Sequence, residues 1–530
     1  MDNLIKLGDM TSTRKDAAKT QVDGRYAWYV LGVLCLVYMF NQMDRYILSI
    51  VAEDVKKRFS MSDSQFGFLT GTAFAMFYAL FGYPVARLAD RWNRVKLLAI
   101  GLSLWSMMTA MSGLSSSLGQ MSMFRVGVGI GEATASPVGF SLISDWFSKT
   151  KRATALGVFS SGLIIGSGLA LLLGGLIDSH WNLAHPAAKP FGLEGWQVTF
   201  LALGIPGVLL AVWVLTLREP ARGQSDGVDL PSEGRIWIRF FHDLCGILPP
   251  LTFYDAARRG WAALGSNVAA ALVSALAAWI LIRLTGDWMQ WTAIGFGYYA
   301  AFSASQSLRH NDRATFALTW GTPTFLFAMI GFGAASMVLI VINFWMAPLA
   351  VRTFAMDRGA VGLILGAITV IGGAVGMITG GRLSDVLLKR TPLGRIWVSI
   401  ASSLIPLPFI IVMGLTHNPT VFFLCFLPVA VVAPAWVGAG AATIQDLVLP
   451  RMRATATNVY FLVATLVGTG LGPYVVGKIS VATHSLATGL LWTLTFGCVV
   501  AAGFLWLCGR GIEGAENSKW RRAIAAGDPD

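Results

Sequence analysis

The sequence predicts an all-α polytopic membrane protein, two six-helix bundles with an inserted two-helix hairpin. Three observations lead there: apolar runs of spanning length, a charge-poor composition and a repeat between the halves. Of 530 residues, 55% are hydrophobic and only 13% charged, against roughly 25% charged in soluble proteins. Mean hydropathy is +0.63, so large soluble domains are excluded. A bilayer core about 30 Å thick needs about 20 helical residues per crossing. Runs of that order fall at 28–51, 65–86, 96–116, 119–144, 153–176, 196–217, 263–286, 288–307, 323–350, 360–383, 396–416, 420–445, 454–477 and 486–508, which makes fourteen expected spans. The 58 glycines and 20 prolines would weaken soluble helices, whereas membrane bundles use them for close packing and bends. Five cysteines, Cys35, Cys245, Cys425, Cys498 and Cys508, lie mostly in apolar runs, so they read as small core residues and imply no disulfide framework.

The first 25 residues are polar and carry Lys6, Arg14, Lys15, Lys19 and Arg25, unlike a cleavable signal. With that tail cytoplasmic, 30 of the 40 Lys and Arg fall in cytoplasmic segments, 8 in external ones, and Arg45 and Arg125 within helices. The positive-inside rule predicts this bias. The formal charge of +12 is therefore spread over short loops on one membrane face. Nothing aromatic interleaves it as a nucleic-acid stacking platform requires, so no nucleic-acid partner is expected. Localisation in the inner (cytoplasmic) membrane, with both termini cytoplasmic, follows.

The halves repeat. Arg87-Leu88-Ala89-Asp90 ends the second span and Arg382-Leu383-Ser384-Asp385 ends a span 295 residues later; Arg152-Ala153-Thr154-Ala155 opens the fifth span and Arg453-Ala454-Thr455-Ala456 a late one 301 residues on. Two matches at nearly one offset argue for parallel six-helix repeats related by an axis along the membrane normal. The offset exceeds six spans, and the surplus falls in 218–322, where a polar stretch precedes two extra apolar runs. The expected organisation is a tail (1–25), a first bundle (26–217), a linker with a hairpin at about 263–307 turning at Asp287 and Trp288, a second bundle (323–508) and a tail (509–530).

An ionisable group deep in a span costs about 2.5–3.5 kcal/mol on insertion scales, so it is kept only if paired or used. The first span holds Asn41-Gln42-Met43-Asp44-Arg45-Tyr46, and the fourth holds Arg125-Val126-Gly127-Val128-Gly129-Ile130-Gly131-Glu132. Arg125 and Glu132 share a helix face, about 10 Å apart along the axis. Two carboxylates and two guanidiniums cancel formally, which lowers the cost of burial. Low dielectric favours a neutral carboxyl and a nearby arginine favours the charged one, so drawing the arginine away to a substrate anion favours protonation. Asp44 and Glu132 are thus the expected proton-coupling residues, and Arg45 and Arg125 are expected to alternate between them and an anionic substrate group. A permanent salt-bridge network that only fixes packing is the alternative.

The second repeat lacks acidic residues except near span ends, at Asp385 and Asp446. It is expected to supply shape, with Asn343, Trp345, Trp436, Asn458 and Tyr460 as candidate cavity residues beside Asn41 and Tyr46 of the first span. The glycines of the fourth span (Gly127, Gly129, Gly131), the fifth (Gly162, Gly166, Gly168) and a late span (Gly468, Gly470, Gly472, with Pro473) let helices approach and bend. Asp90, Arg91, Arg94 and Lys96 form a charged turn after the second span. Asp90 there is expected to accept bonds from an adjacent helix N-terminus, which makes Asp90, Arg91, Arg94 and, in the second repeat, Asp385 candidate cytoplasmic gate residues.

Ala86-Arg87-Leu88-Ala89-Asp90-Arg91-Trp92-Asn93-Arg94 resembles the signature of the major facilitator superfamily between its second and third helices, with Ala86 and Asn93 where glycines are usual. Arg125 with its following glycines resembles the fourth-helix signature. More narrowly, Asp44-Arg45-Tyr46, the Asp90-to-Arg94 turn and Gly129-Ile130-Gly131-Glu132-Ala133 are similar to the Spinster family of lipid and sphingolipid transporters and their bacterial relatives. The likeness covers about 25–220 and 323–510. It implies the major facilitator fold, alternating access by rocking bundles, and Asp44, Arg45 and Glu132 as proton and substrate residues. The hairpin departs from the twelve-helix plan.

The expected function is secondary transport, proton-coupled, of an amphipathic lipid-like (lysolipid or sphingolipid class) or organic anionic solute by a monomer among membrane lipids. No cofactor or metal is implied. An organic-anion or drug transporter, or an uncoupled facilitator, would share the fold. No Gly-x-x-x-x-Gly-Lys-[Ser/Thr] loop occurs, which disfavours ATP, and a proton crossing ~100 mV supplies roughly 2.3 kcal/mol. A lipid-modifying enzyme is disfavoured because His180, His185, His242, His310, His417 and His484 fall in loops or at span edges, without metal-ligand spacing.

Overall fold

The structure is a computed structural model that describes residues 22–186, 189–222 and 236–528. Most of the expected N-terminal tail, and residues 223–235 of the linker, lie outside the described residues. The described residues form helices and turns and no strand. The first bundle comprises α1 (Arg25–Ile50), the short α2 (Ala52–Phe59), α3 (Asp63–Ala89), α4 (Arg94–Gly113), α5 (Leu118–Trp146), α6 (Lys149–Ala184) and α7 (Gly195–Leu215). Two short helices, α8 (Ile236–Cys245) and α9 (Leu251–Arg258), lead into the hairpin α10 (Trp261–Thr285) and α11 (Trp288–Asn311), and α12 (Arg313–Leu318) leads out. The second bundle is α13 (Pro323–Phe354), α14 (Arg358–Leu388), α15 (Gly394–Leu415), α16 (Pro419–Asp446), α17 (Thr455–Thr483) and α18 (Leu486–Ala525).

Thirteen of these helices are long and apolar enough to cross a membrane, one fewer than expected. The difference is α11, which has spanning length at 24 residues but carries Gln290, Tyr299 and Ser303, all buried against protein rather than facing lipid. Its partner α10 is apolar and has only Asn267 fully buried, its other residues being exposed or half-buried, as on a helix that faces lipid. The expected tail from 509 is another difference. At 40 residues, α18 is about 60 Å long at 1.5 Å per residue, so it projects well past a 30 Å core. Lys519 reaches the Asp446 carbonyl at 2.7 Å and Arg522 the Gly321 carbonyl at 3.0 Å, which fixes the projecting turns.

Side chains define the helix ends. Ser62 and Gln65 form a reciprocal capping box that starts α3, and the Asn93 side chain accepts from the Lys96 amide at 2.8 Å to start α4, as N-cap residues do. Both described chain ends lie on one face: Asp23 accepts from the Ser148 amide between α5 and α6 at 3.0 Å, and Asp528 pairs with Arg451 between α16 and α17 at 2.5 Å. This is called the terminal face, and its opposite the far face.

The bundles meet in the far-face half. Along α6 and α14, a Cβ on Gly168 would fall 2.6 Å from the Gly366 carbonyl oxygen, and one on Gly362 would overlap the Leu171 carbonyl. Nearer the terminal face, a Cβ on Gly157 or Gly381 would meet nothing within 4 Å. The second contact joins α3 to α17, where two π-helical segments, Phe68–Thr72 and Thr465–Thr469, face each other and Pro473 packs on Gly67 and Gly71. A π segment widens the helix by one residue per turn and is found at functional breaks. Across the third contact, Ser49 on α1 donates to the Phe344 carbonyl on α13 at 2.9 Å. One apolar cluster runs through this half, from Ile47 and Val51 to Trp345 and Leu349. The bundle contacts therefore close the far face, while Gly157 and Gly381 toward the terminal face have no close neighbour.

Candidate functional site

Glycines let α5 sit close to its neighbours. A Cβ on Gly129 would fall 2.5 Å from the Phe74 carbonyl oxygen on α3, and one on Gly131 2.8 Å from the Gly101 carbonyl oxygen on α4. That approach brings Glu132 to α1. Arg45 Nη2 donates to Glu132 Oε2 at 2.7 Å and its Nε at 3.2 Å. The guanidinium also lies 4.4 Å from the Phe74 ring centroid and 5.0 Å from that of Tyr78, within cation–π range. The Glu132 side chain is fully buried, while 17% of the Arg45 side chain is exposed, so Arg45 is the member of the pair that reaches the opening.

Arg125 behaves differently from expectation. It is buried, and both Nη atoms donate to the main-chain carbonyl of Asp44 at 3.1 Å, with Nη2 also reaching the Arg45 carbonyl at 3.3 Å. It binds the backbone of α1 rather than a carboxylate. Both Asp44 carboxyl oxygens are buried without a hydrogen-bond partner, as are Glu132 Oε1, Arg125 Nε and Asn41 Nδ2. The Trp105 indole lies beside the Asp44 carboxyl, yet its N–H does not reach hydrogen-bond distance. Neither acidic residue faces lipid.

The remaining candidates separate. Asn41 accepts from Gln42 at 3.1 Å. Tyr46 stacks obliquely on Phe344, and its hydroxyl lies beside the Asn343 side chain, so this pair spans the two bundles. Trp345 is fully buried, donates to the Pro473 carbonyl at 3.2 Å and packs edge-on to Phe66. That places it in the far-face closure instead of an open cavity. Trp436 and Tyr460 both pack on Phe332 inside the second bundle, and Asn458 is half-buried on α17.

The gate candidates are placed at the terminal face without joining the bundles. Arg94 is buried and donates to Asp145, to Glu219 at 2.7 Å and to the Pro220 carbonyl at 2.9 Å, all within the first bundle and its exit. Arg91 pairs with Asp243 of α8 at 3.3 Å. Asp90 is exposed among Arg87, Arg91, Arg94 and Arg222. The bonds it was expected to accept from a helix N-terminus are not among those of the described residues. Asp385 is exposed on α14.

The far-face ion pairs were not anticipated. Arg352 at the end of α13 binds Asp63 through two bonds of 2.6 and 2.8 Å and Glu53 at 2.7 Å. Arg358 at the start of α14 binds Asp54 at 2.7 Å and Asp178 at 2.8 Å. Burial pushes the Asp54 carboxyl up to about 6, against the lowering effect of Arg358, with Asp178 and Glu194 adding to the rise. The signal was available in the charged residues at span ends, Glu53-Asp54, Asp63, Arg352 and Asp357-Arg358, which read singly as topology markers.

Comparison with known proteins bears on this geometry. The sequence model of the Major Facilitator Superfamily matches residues 34–473. An MFS-type efflux pump of Mycolicibacterium smegmatis is 27% identical over 91% of this chain and 92% of that protein. The sphingosine-1-phosphate transporter of Danio rerio is 32% identical over 37% of each chain. Among solved structures, a bacterial homolog of the human lysosomal transporter Spinster, in an inward-facing and occupied conformation, is 26% identical with a TM-score of 0.66, covering 94% of this chain and 99% of that one.

Proposed function

This chain belongs to the Major Facilitator Superfamily and is a multi-pass membrane transporter of Spinster type, and from that premise we propose that it couples proton movement to carriage of an amphipathic, lipid-like or organic anionic solute. The observation that carries the reading is the buried cluster of Asp44, Arg45, Arg125 and Glu132. In it the one partly exposed member, Arg45, holds one carboxylate while another carboxyl has no donor. A charge buried in a span is kept only if it is paired or used, and among the described residues no cation is bonded to the Asp44 carboxylate.

Arg45 is the hinge of the mechanism. An anionic group entering from the terminal face competes with Glu132 for the guanidinium, which Phe74 and Tyr78 hold in place as it changes partner. Glu132, left in a low-dielectric site without its cation, is cheaper to bury neutral and takes a proton. Asp44, on the next residue of α1, takes or yields the second proton as the bundles rock. Arg125 keeps α1 and α5 in register by its carbonyl bonds and does not itself change partner in this state, which moves it from substrate residue to positioning residue. An apolar tail on the solute would lie along the second bundle, past Tyr46 and Asn343, which is consistent with the sphingosine-1-phosphate transporter among the relatives. By the bias of Lys and Arg toward the terminal face, that face is cytoplasmic, and by the bacterial relatives the membrane is the inner one.

The test is uptake by proteoliposomes under an imposed pH gradient. Glu132→Gln should abolish accumulation, about fiftyfold for one proton crossing ~100 mV, while leaving solute exchange without a gradient measurable. Accumulation that survives Glu132→Gln unchanged defeats the coupling assignment, and a wild-type protein indifferent to the gradient is an uncoupled facilitator.

A further inference from the structure

The inserted hairpin touches both bundles, and its contacts divide by depth. Toward the terminal face it belongs to the first bundle and its linker. Asp243 of α8 pairs with Arg87 at 2.7 Å and Arg91 at 3.3 Å, Ser303 of α11 donates to the Gly246 carbonyl at 3.1 Å, and Tyr299 bonds Thr252 at 2.7 Å. Met76 and Leu80 of α3 form an apolar cluster with Ile247 and Ala300. At the far face the second bundle joins as a partner, while Asp287 Oδ1 still accepts from the Ser64 hydroxyl of α3 at 3.5 Å. Asp287 Oδ2 accepts from Lys478 Nζ at 2.7 Å and from the Tyr474 hydroxyl at 2.8 Å, both on α17, and Lys478 donates again to the Thr285 carbonyl at 2.6 Å. One turn deeper, the buried Gln290 sits where the π segments meet: the Thr72 hydroxyl of α3 shares its one proton between Gln290 Oε1 at 2.6 Å and the Gly470 carbonyl of α17 at 2.5 Å, and Gln290 Nε2 donates to that same carbonyl at 3.3 Å.

Opening the far face parts α3 from α17, so the hairpin must let go of one of them. Its apolar seat on α3 and the Asp243 pairs keep it with the first bundle. The break therefore falls at the bonds of Asp287 and Gln290 to α17. We propose that the hairpin is a hook that rides on the first bundle and latches the second at the far face, holding the transporter in the closed-far-face state until those bonds release. Two polar side chains at the hairpin tip set how often the far face opens, a task separate from solute and proton binding.

Double electron–electron resonance on the full chain in nanodiscs reads this without solute or pH gradient, so its outcome is independent of the coupling mechanism. Spin labels go at Lys57→Cys on α2 and His417→Cys between α15 and α16, both exposed, with the five native cysteines replaced. The parent should give one short distance. Asp287→Asn and Lys478→Met should each add a longer distance, with the open population raised roughly tenfold, the effect of removing one charge-assisted bond. The double variant should open less than the two single effects combined, since both cut the Asp287–Lys478 bond. If Asp287→Asn does not yield monodisperse protein, Lys478→Met and Tyr474→Phe sever the contact from the other side. A distance distribution unchanged by these variants, or singles whose effects add in full, overturns the hook.

Discussion

The two bundles bury different things. At the centre of the first lie Asp44, Arg45, Arg125 and Glu132, three of them fully buried and each tied to α1. The second bundle instead packs Phe332, Trp436 and Tyr460 ring on ring. The repeat that relates the halves preserved the helices and not the chemistry. On the proposed mechanism, a symmetric scaffold with charge in one half would carry the proton and anion steps in that half and leave the other to meet apolar surface.

Removing charge from the first bundle should therefore cost far more than altering the second. The largest effect is expected at Arg125, whose loss leaves the Asp44 and Arg45 carbonyls of α1 without their donor and takes a positive charge out of the buried cluster. Arg125→Met should destabilise the protein by about 3–5 kcal/mol, the scale for breaking a buried ionic arrangement from one side. A thermal unfolding series in detergent checks this, and a midpoint within a degree of the parent would show that the first bundle does not depend on its charges.

Next in size is a change at the bundle contact itself. Gly362 meets the Leu171 carbonyl with no room for a Cβ, so Gly362→Val must force α6 from α14 at the far face. The spin-label pair on α2 and the α15–α16 loop should report the open far face as the dominant state, a change of tenfold or more in population. Gly381→Val, near the terminal face where nothing lies within 4 Å, should leave the distribution alone. Equal effects from the two would erase the distinction between the closed far face and the terminal face.

The far-face pair of Asp54 and Arg358 gives a smaller, pH-dependent effect. With the far face closed, Asp54 titrates at about 6; once parted and hydrated it should return toward an ordinary aspartate value of about 3.9. A carboxyl raised in one state binds its proton more tightly there, so acid stabilises that state. Lowering the pH from 7 to 5 should then favour the closed far face by roughly tenfold, the gain accruing below pH 6 and levelling off near 4. Arg358 lowers and Asp178 and Glu194 raise the titration of Asp54, and Asp54→Asn, which mimics the protonated carboxyl, should remove the pH response and hold the neutral-pH population near the closed value that the parent reaches only in acid. An opening that increases with acid would reverse the sign and mean that Arg358 outweighs burial.

These effects also show what was readable in advance. Spans are set by length and hydropathy, properties local to each run, so the helices fell where the apolar runs did, and α11 was included because its length was right although its polar residues face protein. Asp44, Arg45 and Glu132 stood out because charge in hydrocarbon is rare enough to be conspicuous. The partner of Arg125 was not legible, since a guanidinium and a main-chain carbonyl leave no mark in composition. The far-face network was hidden for a different reason. Glu53, Asp63, Arg352 and Arg358 are ordinary at span ends, and only the packing of two distant halves brings Arg352 to Asp63 across 289 positions.

The smallest expected effect lies in the second bundle. Trp436 stacks on Phe332 with ring centroids 5.7 Å apart, and its indole N–H is buried without a partner. Trp436→Phe keeps an aromatic face against Phe332 and removes that unsatisfied donor, so the lost ring volume and the relieved polar group pull in opposite directions. Stability should change by less than about 1 kcal/mol, and proton-driven accumulation should stay within about twofold of the parent. A selective loss of affinity for solutes with long apolar tails, with the pH response intact, would instead place Trp436 on the solute path and sharpen the division of labour. A loss of coupling from this substitution would end it, because the second bundle would then share the work assigned to the first.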